Sequence, residues 1–312
     1  MSTELQSPIV VGVDGTDQSM LAVRYAVQEA QSLGCGIRLV HAAPEMASTT
    51  TTLPLINVET MNRVGERIVN AAKQLAHDIT DAEIQVETVI RPGSRVRILT
   101  EAGEDARMIV LGHRDRSILG RVFTSSTCTG VGSRARCPVV CVPTVWKPGN
   151  PRGRVVIGVE GHEHSQDALA VAFAVAAEKK AKLTVLHAWK LPSPYDDIVV
   201  SDAAVEEWRE SATEMLEQIL QEWREGYPEV EVELDVRHQH IAPALMGATE
   251  GADLLVLGRR GRGAPLGFHL GSTARTLIRE SRCPVEIAPP RHPEELFPSQ
   301  RLMTADQVSP QT

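Results

Sequence analysis

Two hydrophobic rhythms alternate along the chain. Short continuous apolar runs, "PIVVGV" at 8–13, "IRLVHA" at 37–42, "RMIVLG" at 107–112 and "PVVCV" at 138–142, are separated by stretches with apolar residues at helical spacing. The first helical stretch, "SMLAVRYAVQEAQSLG", is expected to stop at Gly34, and a long one follows in "VETMNRVGERIVNAAKQLAHDI". "IQVETVI" at 84–90 alternates and reads as a further strand, while "RVRILTEAGED" at 95–105 and "SSTCTGVGSRA" at 125–135 read as short helices. Continuous apolar strands between helices are those of a parallel sheet covered on both faces. Five strands make an open, doubly wound α/β layer, whose ligands bind beyond the carboxyl ends of the strands at the switch point.

The same pattern then recurs. "IVVGVDGTDQS" resembles "VVIGVEGHEHS", "RLVHAAP" resembles "TVLHAWK", "ARMIVLGHRD" resembles "ADLLVLGRRG", and "SRARCPVVCV" resembles "IRESRCPVEIA". An offset of 146 positions holds at Asp14/Glu160, His41/His187, Gly112/Gly258 and Cys137/Cys283. A constant offset over four landmarks marks a duplicated unit. The fold class expected is therefore α/β, with two tandem five-stranded parallel-sheet domains at 1–146 and 151–290. The Pro/Gly-rich "PTVWKPGNPRGR" joins them, and the aperiodic 291–312 is a tail.

Composition narrows the function classes. A net charge of −8 argues against a nucleic-acid partner. No apolar run is long enough to span a bilayer, and the first residues lack a signal-peptide pattern, so a cytoplasmic protein without membrane contact is expected. Five cysteines, an odd count without tight spacing, argue against a disulfide framework. Cys137 and Cys141, about 13 Å apart if "CPVVC" is a strand, are out of bonding reach. Buried thiols are expected. The clusters "HEH" (His162, His164) and "HQH" (His238, His240) read as solvated loops, with no metal site.

The chemistry concentrates in "GRRGRGAPLGFHLGS" at 258–272. Gly258 ends a predicted strand and a helix begins near Gly271, so the loop lies at the carboxyl edge of the sheet. Glycines at 258, 261 and 271 let backbone N–H groups turn inward as an anion nest. The helix start adds free N–H groups at Ser272 and Thr273. Arg259, Arg260 and Arg262 raise the local positive potential. The arrangement reads as a phosphate cradle. It is not a Walker A loop, since no Gly-Lys-Ser/Thr follows, and the first turn lacks the dinucleotide fingerprint.

The spacing G258-x2-G261-x9-G271-S272, together with "VGVDGTDQS" after the first strand and "CPV" before the last, resembles the universal stress proteins. The likeness covers both repeats, roughly 7–145 and 152–289. It implies an adenine nucleotide alpha-hydrolase-like fold that binds ATP, with or without Mg, and that often dimerises through the last strand. In that family an acid after the first strand faces the ribose and a backbone position after the second strand meets the adenine. The resemblance carries these roles to Glu160 and Ala188, beside Gly158, in the second unit, and to Asp14 and Ala42, beside Gly12, in the first.

Each unit departs from the pattern. The second keeps the glycines but has Glu160, one methylene longer than the family's Asp. The first keeps Asp14 but reads G112-x2-D115-x9-S125-S126. A left-handed non-glycine costs on the order of 1 kcal/mol. Asp115 at about 6 Å from a phosphate charge would cost roughly 2–3 kcal/mol at an effective dielectric of about 20, partly offset by Arg114, Arg116 and Arg121. The second unit is therefore expected to bind ATP and the first to be weakened or empty.

No catalytic residue is assigned; Asp14 and Glu160 read as ligand-orienting acids. His41 and His187 read as satisfied core histidines, and the helical stretch at 203–228 as a packed helix with a solvated charged face. The units are expected to pair across "PVVCV" and "PVEIA", within the chain or between chains, and a homodimer is expected over a monomer. Two alternatives stay open beside the nucleotide-binding stress protein: a slow nucleotide hydrolase on the same fold, and a nucleotide-free association module.

Overall fold

The computed structural model describes residues 7–44, 58–80, 84–113, 124–149, 151–190, 201–259 and 270–290. The chain divides into two compact units at Gly149/Asn150. Unit 1 runs β1 (Ile9–Gly12), α1 (Asp17–Leu33), β2 (Ile37–Ala43), α2 (Val58–Asp78), β3 (Val86–Pro92), α3 (Arg95–Ala102), β4 (Met108–Gly112), α4 (Thr124–Gly132) and β5 (Val139–Val142). Its strands lie in the order β3-β2-β1-β4-β5, with parallel pairing throughout. The order reverses between β1 and β4, which is the switch point.

Unit 2 repeats this with β6 (Arg154–Gly158), α5 (His162–Lys179), β7 (Lys182–Trp189), α6 (Asp202–Gly226), β8 (Val232–His238), α7 (Ile241–Ala248), β9 (Leu254–Gly258), α8 (Ser272–Glu280) and β10 (Val285–Ala288). Its order is β8-β7-β6-β9-β10. The strands β6, β7, β8 and β9 pair in parallel.

Local chemistry explains the element ends. Gly34, at φ 62°, closes α1 by donating its N–H to the Ala30 carbonyl, as the pattern predicted. Several boundaries differ from expectation. β3 sits two residues later than 84–90 because it pairs with β2 from Ile37↔Val86 to Ala43↔Pro92. As the last strand in the order it tolerates Pro92. The helix expected over 95–105 ends at Ala102, where the Gly103 N–H bonds back to the Leu99 carbonyl at 3.1 Å. "CPVVC" is a strand only from Val139, so Cys137 precedes it.

The cores differ in character. In unit 1, Val23, Ala26, Ile37, Leu39 and Val110 pack into an aliphatic cluster. In unit 2, Phe173 stacks on Trp223 with centroids 5.7 Å apart, beside Leu183, Leu216 and Leu220. Such a pair adds roughly 1 kcal/mol to its area burial. α6 buries Leu216, Ile219, Leu220 and Trp223 and leaves its acids outside, and Ser201 caps its start by accepting from the Ala204 N–H. All five cysteines are free and buried. No described helix is long and apolar enough to cross a membrane.

Candidate functional site

At the switch point of unit 1 the carboxyl ends of β1 and β4 lie side by side, Gly12 paired with Leu111. They open into a small cleft of about 60 Å³. Four of the residues singled out by sequence, Gly12, Asp14, Ala42 and Gly112, line it. Ser126 lies in the first turn of α4; Arg114, Asp115, Arg116 and Arg121 fall outside the described residues.

The acid is held by a tight turn. Gly15 takes φ 81°, a value that favours glycine. This brings the Thr16 N–H to the Asp14 carboxylate at 3.1 Å and the Thr16 hydroxyl to it at 2.6 Å. Thr16 in turn caps α1 by accepting from the Ser19 N–H. Burial works against the Asp14 charge. The hydrogen bonds from Thr16 and Ser19 and the positive charge of Arg95 outweigh it and hold the carboxyl below the usual carboxylate range. Asp14 is thus ionised at neutral pH and shares the cleft wall with the cationic Arg95.

Gly112 has a packing role besides the one its place in the loop pattern suggests. A Cβ there would lie 2.1 Å from the Gln18 carbonyl oxygen and 3.0 Å from the Ser19 nitrogen. The N-terminus of α1 therefore runs directly over the end of β4, and only a residue without a side chain permits it. Sequence reasoning missed Arg95, Thr127 and Cys128 in the cleft wall. Arg95 opens a short helix with no motif around it, so only the fold brings it to the site.

In unit 2, Gly158 ends β6, Ala188 lies within β7, Gly258 ends β9 and Gly271 caps α8, which Ser272 and Thr273 begin. The ends of β6, β7 and β9 lie along one edge of the sheet, since Gly158 pairs with Leu186 and Ile157 with Val256. Arg259 follows β9 and is half-buried. Gly261 and Arg262 fall outside the described residues. A Cβ on Gly158 would lie 2.9 Å from Leu245 of α7, so this glycine admits a packed side chain. Glu160 is exposed. Its backbone N–H is accepted by the Ser165 hydroxyl at 3.3 Å, and Gly161 caps α5 without a side-chain bond.

The histidines divide. Nδ1 of His41 lies 2.8 Å from the Val13 carbonyl and Nδ1 of His187 lies 2.9 Å from the Val159 carbonyl, so both are satisfied within the fold, as expected. His238 is not in a solvated loop. It ends β8 and stacks on Trp189 with centroids 4.2 Å apart, because the β7–β8 register sets the two opposite each other. Among the described residues no group of three or more His, Cys, Asp or Glu side chains is arranged to hold a metal.

Comparison with known proteins agrees with the repeat. The universal stress protein family matches residues 7–143 and again 151–289. Universal stress protein MT2052 of Mycobacterium tuberculosis is 29% identical over 299 residues, 90% of this chain and 94% of that one. A universal stress protein of Mycolicibacterium smegmatis is 32% identical over 288 residues, 91% of this chain and 97% of that one. Among solved structures, a universal stress protein from Archaeoglobus fulgidus matches the fold with a TM-score of 0.65 at 20% identity, covering 91% of this chain and 98% of that one.

Proposed function

The chain belongs to the universal stress protein family, which gives it a stress-response role, and on that premise we propose that it retains or senses adenine nucleotide, with ATP bound chiefly by unit 2. The observation that carries the reading is the spacing Gly258–Gly261–Gly271–Ser272, which begins at the end of β9 and finishes at the start of α8. Backbone donors from the glycines and the helix terminus receive phosphate oxygens, and Arg259 and Arg262 add charge. Glu160 meets the ribose hydroxyls and the Ala188 backbone meets the adenine. A bound Mg would be held by the phosphates.

Unit 1 keeps the nucleoside half of the arrangement and loses the phosphate half. Asp14, Ala42 and Gly112 line its cleft, but Asp115 and Ser125 replace two glycines of the loop. One feature favours a second ligand there. Arg95 supplies a cation at the cleft, where unit 2 has Ile241 at the matching position. This suits a nucleoside or monophosphate better than a triphosphate.

Equilibrium dialysis with ATP, beside identification of nucleotide released on denaturing the purified protein, tests the reading. About one tight ATP per chain is expected. Asp115→Gly with Ser125→Gly is expected to restore a second. Two tight ATP sites in the unaltered protein would overturn the division between units. Many turnovers of ATP would favour the hydrolase, and no nucleotide at all the association module. The same reading expects a homodimer, and light scattering giving a strict monomer at micromolar concentration would remove that part.

A further inference from the structure

Unit 1 assembles three groups that the nucleotide reading does not use. Cys128 comes from α4, Cys141 from β5, and His113 follows β4; each is 1% exposed. The strand register sets Leu111 opposite Cys141 and Gly112 opposite Val142, and the His113 N–H bonds to the Val142 carbonyl at 2.8 Å. α4 lays Cys128 over the end of β4, its Sγ 3.8 Å from the Gly112 carbonyl oxygen. Cys128 lies against Cys141 and beside His113. Of the three, Cys128 lines the cleft.

We propose that Cys128 and Cys141 are a peroxide-reactive dithiol, reached through the cleft of unit 1 and closing to an intrachain disulfide. The Cys128 thiolate attacks one oxygen of hydrogen peroxide. The O–O bond breaks, Cys128 becomes a sulfenic acid, and the departing hydroxide takes a proton to leave as water. The Cys141 sulfur then attacks the Cys128 sulfur, the S–S bond forms, and the sulfenic oxygen leaves as water carrying the Cys141 proton. Two electrons pass from the thiol pair to peroxide, which is reduced to two waters.

The surroundings divide the labour. Contact with Cys141, against the cost of burial and with His113 beside it, holds the Cys128 thiol below the ordinary value. Cys141 is correspondingly raised and keeps its proton until it attacks. Thiolate character, not exposure alone, sets nucleophilicity. Cys283 gives the contrast within the same chain: burial pushes it up to about 12. Unit 2 has no counterpart of the cluster, since the positions matching His113, Cys128 and Cys141 are Arg259, Ala274 and Ile287. The proposal does not depend on nucleotide binding.

The test is thiol mapping of the full chain after hydrogen peroxide, with alkylation under denaturing conditions. Two of the five cysteines are expected to escape alkylation, in one linked peptide joining Cys128 to Cys141. Cys141→Ser is expected to stop at a Cys128 sulfenic acid that dimedone traps. Cys128→Ser is expected to leave four alkylatable thiols, with hydrogen exchange checking that unit 1 stays folded. Alkylation of all five cysteines in the treated wild type, or a disulfide between any other pair, would overturn the proposal.

Discussion

The turn after the first strand is built differently in the two units. In unit 1 the Asp14 carboxylate is tied to Thr16 by two hydrogen bonds and Thr16 caps α1. In unit 2 Glu160 is followed by Gly161, which caps α5 with no side chain, and Ser165 reaches back to the Glu160 N–H. The serine common to both repeats even reverses its hydrogen bonding, since the Ser19 hydroxyl donates to the Thr16 carbonyl whereas that of Ser165 accepts. Unit 1 thus ties its acid down, while the sequence of its loop, with Asp115 and Ser125, opposes phosphate. Unit 2 leaves its acid exposed, while the sequence of its loop keeps all the glycines. Duplicated sites can lose different halves of one function, and the two halves are physically separable: a fixed carboxylate, and a set of backbone donors.

The largest effect is expected from Gly112→Ala. A Cβ 2.1 Å from the Gln18 carbonyl oxygen meets backbone that cannot swing aside, and unit 1 should lose on the order of 3 kcal/mol. Peptide-resolved hydrogen exchange should place the loss in unit 1 and leave unit 2 protected; an unchanged exchange pattern would mean that the close approach of α1 is relaxed at little cost.

Next is Gly261→Asp, which gives unit 2 the residue that unit 1 carries as Asp115. Nucleotide affinity should fall by about tenfold or more, about 1.4 kcal/mol. Calorimetry on a folded variant with undiminished affinity would sink the backbone-donor assignment.

Thr16→Ala should be smaller. It removes the α1 cap and one of the bonds to Asp14, and the typical loss is about 1 kcal/mol. Denaturant unfolding followed at Trp146, which packs against Tyr25 of α1 with centroids 5.3 Å apart, reads this directly. A midpoint unchanged from wild type would assign the cap no share in stability.

The smallest effect is the pH response of Asp14. Its carboxyl is lower in the folded protein than its ordinary value. The stabilisation is therefore present above the unfolded value, about 3.9, and is lost as pH falls through the folded one. Asp14→Asn should flatten the acid side of unit 1's stability profile while leaving that of unit 2 as it was. Identical acid limbs in variant and wild type would show that Thr16 and Arg95 contribute nothing through this charge.

Element order, the duplication and the places of Gly258 at a strand end and Gly271 at a helix start were all legible in the sequence. They depend on local periodicity and on a repeat offset, which need no knowledge of distant contacts. Gly34 as the end of α1 and the satisfied hydrogen bonds of His41 and His187 were legible for the same reason: one is a local cap, and the other recurs with the repeat. Boundaries set by a partner strand, such as the end of β3 at Pro92, were not.

What only the tertiary structure decided is where chemistry from separate elements meets. Arg95 reaches the Asp14 cleft from α3. A steric need for glycine at 112 comes from α1 crossing the end of β4. His238 finds Trp189 through the β7–β8 register. Cys128, Cys141 and His113 converge from a helix, a strand and a strand end. Periodicity along a chain encodes which face of an element is apolar. Only the order and register of the strands decide which residues, far apart in sequence, share one site.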